Sequence, residues 1–333
     1  MFDIITFGSA TWDISFILSG KKNVRDNADL IIDKGIYFNL GSKINVEDMY
    51  FSFGGGGLNT ATTFQRQGLK VAYCGSVGDD IPGKEVILYL KENGINYSLV
   101  KKALKPTNNS VILHIPGEDR TILVYRGASE MLKLSEADWK KMKSKWFYLA
   151  PLSGKLNVLT EELVYFAQKN NIKVLANLGN SQILMGQQKL KKILDRVDVL
   201  LLNKEEASLL TGVDYKKEEE IVLKTNQMHQ GLNVITKGED GVVASDGKMI
   251  YQAKLKRFKV VDTTGAGDSF GSGFVSGLIK SNNDIEYAIK LGLTNSKYCL
   301  LEKGATSGLL AAKDNYLVEK EDIRVLSKKI KKV

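Results

Sequence analysis

Between residues 146 and 236, short apolar β-type runs alternate with helical stretches without interruption. Residues 146–149, 173–177, 199–202 and 233–236 read as strands. Residues 160–170, 187–196, 216–230 and the stretch opened by Asn203-Lys204-Glu205-Glu206 and ending near Gly212 read as helices. Glu161 and Glu162 fall in the first turn of the earliest of these helices as read. Strands separated by helices pair in parallel, and a parallel sheet needs cover on both faces. The runs at 4–8 and 71–75 extend the pattern toward the N-terminus. The predicted fold class is α/β: a doubly wound, mostly parallel central sheet flanked by helices.

Two stretches break this rhythm. Residues 35–38 and 49–53 are β-type runs within polar, Lys- and Asn-rich sequence. Residues 110–115 and 121–126 flank Pro116-Gly117-Glu118-Asp119, a hairpin signal. Two insertions, about 14–53 and 108–127, are therefore expected to form one small β-sheet lid on a single domain spanning 1–333. A lid excludes water from a transfer reaction. Asp246-Gly247 marks a further hairpin between 242–245 and 249–252.

The chain is 43% hydrophobic, enough for a sizeable core, yet no apolar run is long enough to span a bilayer. Asp3 and Asp13 interrupt the N-terminal apolar runs, which excludes a signal peptide. A cytoplasmic protein without membrane contact is expected. The net charge of +9 suits a soluble protein that attracts an anionic ligand such as a nucleotide. Lys328, Lys329, Lys331 and Lys332 read as a solvated helix end or tail. No aromatic residues interleave with them, so nucleic acid is not expected as a partner. Cys74 and Cys299 lie in apolar surroundings and read as buried thiols rather than a disulfide. His114 and His229 offer no zinc spacing.

The chemistry concentrates in Val261-Asp262-Thr263-Thr264-Gly265-Ala266-Gly267-Asp268-Ser269-Phe270. A β-branched run ends at Val261, and a helix-like pattern follows the glycines. This predicts strand, tight turn and helix start. Unpaired N–H groups at a helix N-terminus attract an anion. Asp268 sits in that first turn, which fits a base in phosphoryl transfer. Earlier, Gly54-Gly55-Gly56-Gly57-Leu58-Asn59 lets backbone approach a ligand closely. It is not a dinucleotide fingerprint, because Asn59 stands where the last glycine belongs. Residues 78–85 nearly spell a phosphate loop, but Glu85 replaces the magnesium-binding hydroxyl and Asp79 and Asp80 would repel phosphate. That stretch reads as the start of a helix running to Asn93. Asp13 is expected to be exposed at the turn out of the first strand.

Three motifs in this order, Gly54-Gly55-x-x-x-Asn59, Asn203-x-x-Glu206 and Asp262-Thr263-x-Gly265-Ala266-Gly267-Asp268, resemble the ribokinase-like (PfkB) carbohydrate kinases across nearly the whole chain. The resemblance implies a doubly wound sheet with a β lid and an ATP- and Mg2+-dependent transfer to a hydroxyl. It implies Asp268 as the base and the N–H groups of Gly265, Ala266 and Gly267 as the anion hole. Asp13, Gly55, Gly56 and Asn59 match the sugar contacts. Asn203, Thr236, Gly238, Gly241, Gly267 and Asn295 match nucleotide contacts, and Glu206 the Mg2+ position, acting through water. Asp262, Thr264 and Gly304 match a monovalent-cation (K+) site. The expected acceptor is a small sugar, ribose or fructose first. A nucleoside acceptor would stack on Phe38, Phe51 or Tyr125. A phosphosugar or acidic sugar would be met by Arg120 or Arg126. A catalytically silent regulator on the same fold is the alternative of another class. Exposed lid strands predict a homodimer through the lid.

Overall fold

The computed structural model describes residues 1–18, 24–26, 34–117, 120–152 and 157–330. Nine strands form the large sheet. Their order is Leu326–Lys329, Met249–Ala253, Val242–Ser245, Leu232–Thr236, Val199–Asn203, Lys173–Asn177, Ser144–Leu149, Phe2–Phe7 and Val71–Cys74. The six strands from Leu232–Thr236 to Val71–Cys74 are parallel. The other three are antiparallel additions. Side chains alternate between two buried layers: Phe147 and Leu149 enter one, Trp146 and Tyr148 the other. Burial on both faces explains why these strands read as continuous apolar runs.

The strand order reverses at Phe2–Phe7. The chain passes from it outward to Val71–Cys74, then returns to its other side as Ser144–Leu149. Beyond the carboxyl ends of strands at such a reversal, a crevice opens where ligands bind. Here the helix Gly56–Arg66 starts against that end: Gly57 and Leu58 N–H both donate to the Ser9 carbonyl, at 3.1 and 3.2 Å.

The two insertions meet in one four-stranded sheet, but the run predicted at 35–38 is not part of it: Lys34–Ile36 pairs with Val24–Asp26 in a separate two-stranded sheet. The order in the four-stranded sheet is Thr121–Tyr125, Asn108–His114, Thr11–Leu18, Val46–Gly54. Thr11–Leu18 runs parallel to Asn108–His114, and the other pairs are antiparallel. Glu118 and Asp119 of the predicted turn, Lys331, Lys332, and residues 19–23 and 27–33 of the first insertion lie outside the described residues.

Three local expectations need correction. No strand leads into Asp262, and residues 254–260 carry no regular structure. The lane beside Met249–Ala253 is already filled by Leu326–Lys329, so Val260 and Val261 stay exposed. Lys328 and Lys329 belong to that edge strand, not to a helix end, and lysines on an edge discourage strand addition. The helix at 160–170 starts earlier, as Asn157–Lys169, which moves Glu161 and Glu162 beyond its first turn.

Candidate active site

The helix Ala266–Lys280 points its N-terminus at the crevice. Its N-cap, Gly265, has φ +78, and no side chain caps the helix. Ala266 N–H makes only a long 3.5 Å contact with the Thr263 carbonyl, so the first turn lacks a strong local cap. A Cβ at Gly267 would meet no protein atom within 4 Å, so the space before this turn is open to an anion.

Asp268 follows one residue later. Burial raises its carboxyl above the usual carboxylate range, and a hydrogen bond from Asn59 partly offsets this. Asn59 Nδ2 donates to Asp268 Oδ2 at 2.8 Å. Asn59 itself is 4% exposed, and its Oδ1 is buried with no hydrogen-bond partner. A buried acceptor without a donor is costly, which makes it a position for a ligand hydroxyl. Gly55 has φ +92, and a Cβ there would stand 2.5 Å from the Ser9 carbonyl oxygen. A Cβ at Gly56 would lie 3.2 Å from Asp268 Oδ1. The glycine strip therefore brings backbone directly against Asp268.

Asp13 is not exposed at a turn. It lies inside the strand Thr11–Leu18, is 5% exposed, and takes a hydrogen bond from Ser110. Burial pushes its carboxyl up to about 6, with the Asp262 charge adding in the same direction. Residues sharing its face include Ser15, Ser52, Tyr50, Ser110 and His114. The opposite face carries Trp12, Ile14, Phe16, Phe51 and Met49, with Trp12 packed on Phe51 at 5.5 Å between ring centroids. The polar face of this sheet is thus the inner one. Sequence reasoning missed Ser15, Tyr50, Ser110 and His114. The signal was present in the alternation Thr11, Asp13, Ser15 against Trp12, Ile14, Phe16. The same register sends Phe51 and Tyr125 to the outer face, opposite Asp13.

On the other side of Gly267 lies a cavity of about 410 Å³. Thr236, Gly238, Gly241 and Gly267 border it, and Phe258, Leu293 and Leu300 supply an apolar wall. Asn203 is level with Thr236 on the adjacent strand. Asn203 and Glu206 cap the helix Lys204–Thr211 reciprocally: Asn203 N–H donates to Glu206 Oε2 at 2.8 Å, and Glu206 N–H to Asn203 Oδ1 at 2.7 Å. Burial raises the Glu206 carboxyl despite the Asn203 bond, with Glu205 adding to the rise.

Asn295 does not reach this cavity. It is fully buried and spans three elements, donating to Ser269 O at 2.7 Å and Thr63 Oγ1 at 3.4 Å and accepting from Leu310 N–H at 2.9 Å. Its amide holds the helix Ala266–Lys280 in place and is not available to a nucleotide.

Asp262, Thr264 and Gly304 do come together. Asp262 Oδ1 accepts from Thr264 N–H at 2.9 Å and Thr264 Oγ1 at 2.7 Å, and Oδ2 from Gly304 N–H at 3.0 Å. Burial opposes the charge, but these donors and the Arg120 charge hold the carboxyl below its usual range. Among the described residues, no group of three or more His, Cys, Asp or Glu side chains is placed to hold a metal ion.

Residues 26–312 match the pfkB family of carbohydrate kinases. The chain belongs to this family. It is a phosphotransferase that uses a hydroxyl as acceptor. A ribokinase from Haemophilus influenzae is 29% identical over 293 residues, 85% of this chain and 92% of the relative. Adenosine kinase 2 of Arabidopsis thaliana is 28% identical over 333 aligned residues, 91% of this chain and 95% of the relative. The fold is that of Arabidopsis thaliana ribokinase complexed with ribose and ATP, with TM-score 0.79 at 20% identity over 96% of this chain and 99% of that one. Sugar and nucleoside kinases thus both stand among the relatives. No described helix is long and apolar enough to cross a membrane.

Proposed function

We propose that this kinase transfers the γ-phosphate of ATP to a hydroxyl of a small sugar, with Asp268 as general base. The observation that carries the reading is the position of Asp268. It is hydrogen-bonded to Asn59 on the acceptor side and stands beside the open helix N-terminus on the donor side. The acceptor O–H proton moves to Asp268. The hydroxyl oxygen bonds to the γ-phosphorus as the bond to the bridging oxygen of ADP breaks. The N–H groups of Gly265, Ala266 and Gly267 face charge that shifts in this step, and such preorganised donors act strongly in a water-poor site. Asp13, Gly55, Gly56 and Asn59 hold the sugar. Thr236, Gly238, Gly241 and Asn203 border the nucleotide.

Mg2+ keeps several waters and needs one or two carboxylates, so Glu206 is enough to place it through water. Glu206 fits that task because its cap engages Oε2 and, among the described residues, no hydrogen bond occupies Oε1. Mg2+ would neutralise phosphate charge when bound. Asp262, Thr264 and Gly304 are the proposed surroundings of K+. Ribose and fructose are the first acceptors to assay, because two of the aromatic side chains considered for a nucleobase, Phe51 and Tyr125, lie on the outer face. Mg2+-dependent ADP release on a panel of sugars and nucleosides tests the function. ATP binding without turnover of any acceptor would favour a silent regulator.

Asp13 sets an acid limb. Its folded pKa of about 6 lies above the ordinary value, so between these it binds more protons folded than unfolded. Stability from this group therefore falls as pH rises through that window, while its power to accept sugar hydroxyls grows. The KM for sugar is expected to rise as pH drops below about 6, and Asp13→Asn to abolish that dependence. A limb that persists unchanged in the variant would count against the role.

The small sheet also supports a homodimer. Its outer face exposes Phe51 at 52% and Leu123 at 58%, and Thr121–Tyr125 is an edge strand. An exposed apolar face with an unpaired edge suits self-association across a two-fold axis. Sedimentation is expected to show a dimer at micromolar concentration, and Phe51→Glu with Leu123→Glu to yield monomers. A monomeric parent protein would remove the proposal.

A further inference from the structure

We propose that Tyr148 is a positioning residue for Asp268: its buried hydroxyl, lodged against the helix Ala266–Lys280 one turn below the carboxylate, turns its hydrogen toward ionised Asp268 and favours the charged form. This rests on the kinase reading and deepens it.

A buried tyrosine ordinarily sets its ring in the core and its hydroxyl on an acceptor. Tyr73 does so in the same apolar layer: it is fully buried, and its hydroxyl donates to the Gly8 carbonyl at 3.0 Å. Tyr148 does not. Its ring is fully buried and packs edge-on against Phe64, at 5.6 Å between centroids. Its hydroxyl has no hydrogen-bond partner among the described residues. The helix makes room for that hydroxyl. A Cβ at Gly271 would stand 2.3 Å from the Tyr148 oxygen, and 2.5 Å from Cδ2 of the more flexible Leu201. An unpaired buried hydroxyl and a glycine inside a helix both cost stability. Phenylalanine at 148 would remove the first cost and relieve the crowding that favours glycine at 271. Packing alone therefore gives no reason for the hydroxyl.

Asp268 does give one. It lies three residues before Gly271, on the same face of the helix. Burial holds the Tyr148 hydroxyl neutral, and the Asp268 charge reaches it and adds in the same direction. A neutral hydroxyl without a fixed acceptor rotates freely and orients in the local field. Asp268 itself has no ion-pair partner among the described residues, so neutral donors decide how readily it ionises. Asn59, on the helix Gly56–Arg66, is one of them and donates to Oδ2. The other titratable side chain that feels Asp268 is Cys299, on the helix Ile285–Leu300. Burial pushes its thiol up to about 11, and its Sγ faces the Thr264 and Ala305 carbonyls. It thus offers Asp268 no donor. Tyr148 supplies the second one, from beneath, in surroundings where a dipole acts strongly.

The test follows the Asp268 carboxyl by carbon NMR titration on the full chain, its signal assigned by its loss in Asp268→Asn. The pH profile of kcat at saturating sugar and ATP is measured beside it. Tyr148→Phe is expected to raise the Asp268 midpoint, and with it the acid limb of kcat, by about half a unit or more. The KM for ATP and the melting temperature should not suffer, because no hydrogen bond is lost. The Asp13 limb falls on the KM for sugar and stays in place. A merely structural role would lower the melting temperature and leave the Asp268 midpoint where it was. An unmoved or lowered midpoint in folded Tyr148→Phe overturns the proposal. If no acceptor is turned over, the NMR midpoint still decides it, while the kinase reading fails on its own.

Discussion

Asp268→Asn is expected to lower kcat by roughly 10²- to 10⁴-fold, the range that a positioned general base contributes. The substitution keeps size and shape but removes the proton acceptor. Asn59 Nδ2 now donates to Asp268 Oδ2, and an amide at 268 can still accept that bond through its oxygen. Folding and nucleotide binding should therefore survive. Thermal unfolding and ATP affinity measured beside the rate separate loss of the base from loss of the site. Burial makes the carboxylate a stronger base than an exposed one, because the environment disfavours its charge. The same burial makes the wild-type residue slightly unfavourable for stability when ionised. The variant is thus expected to be as stable as the parent or more so at neutral pH. A variant with more than a tenth of the parental rate would remove Asp268 as base and revive the silent-regulator reading.

Gly265→Ala and Gly267→Ala are expected to separate two reasons for glycine in one turn. Gly265 has φ +78, and a Cβ there would stand 2.5 Å from Ala305 Cβ and 2.8 Å from Ala305 Cα. Left-handed backbone costs a non-glycine residue about 1–2 kcal/mol, and overpacking adds about 1–3 kcal/mol. The loop at 304–305 must move, and it carries the Gly304 N–H bound to Asp262. Gly265→Ala should thus lower both the melting temperature and kcat, the latter by roughly 10²- to 10³-fold as when one anion-hole donor is lost. Gly267 is helical, and its Cβ would meet open space. Alanine there favours the helix by about 1 kcal/mol. Gly267→Ala should accordingly hold or raise the melting temperature while it weakens ATP binding and turnover, because its methyl group enters the anion's space. Normal ATP affinity and turnover in Gly267→Ala would show that no phosphate approaches this turn.

Much of this site was legible from residue order. The helix starting after Gly265, the cap formed by Asn203 and Glu206, and the glycines before Asn59 each depend on neighbours within a few positions. Such local rules act on contiguous residues and survive without knowledge of the fold. The misreadings concern residues whose environment comes from distant chain. Asn295 carries a motif-like position, yet its amide is consumed by Thr63, Ser269 and Leu310. The β-branched residues before Asp262 have strand character, but Leu326–Lys329 had taken the sheet edge they needed. Asp13 looked like a turn residue because the strand that buries it, Asn108–His114, arrives about a hundred residues later in the chain.

Periodicity and local turn chemistry alone determined the α/β class, the order of its main elements and the stretch proposed to carry the chemistry. Those properties follow from which side chains bury on a helix or strand and which backbones bend at glycine. The tertiary structure decided which face of the small sheet meets the crevice. It turned Tyr50, Ser15 and His114 inward and Phe51 outward, and it set Lys303 over Tyr50. Strand pairing register is a long-range property, and a shift of one residue would exchange the two faces.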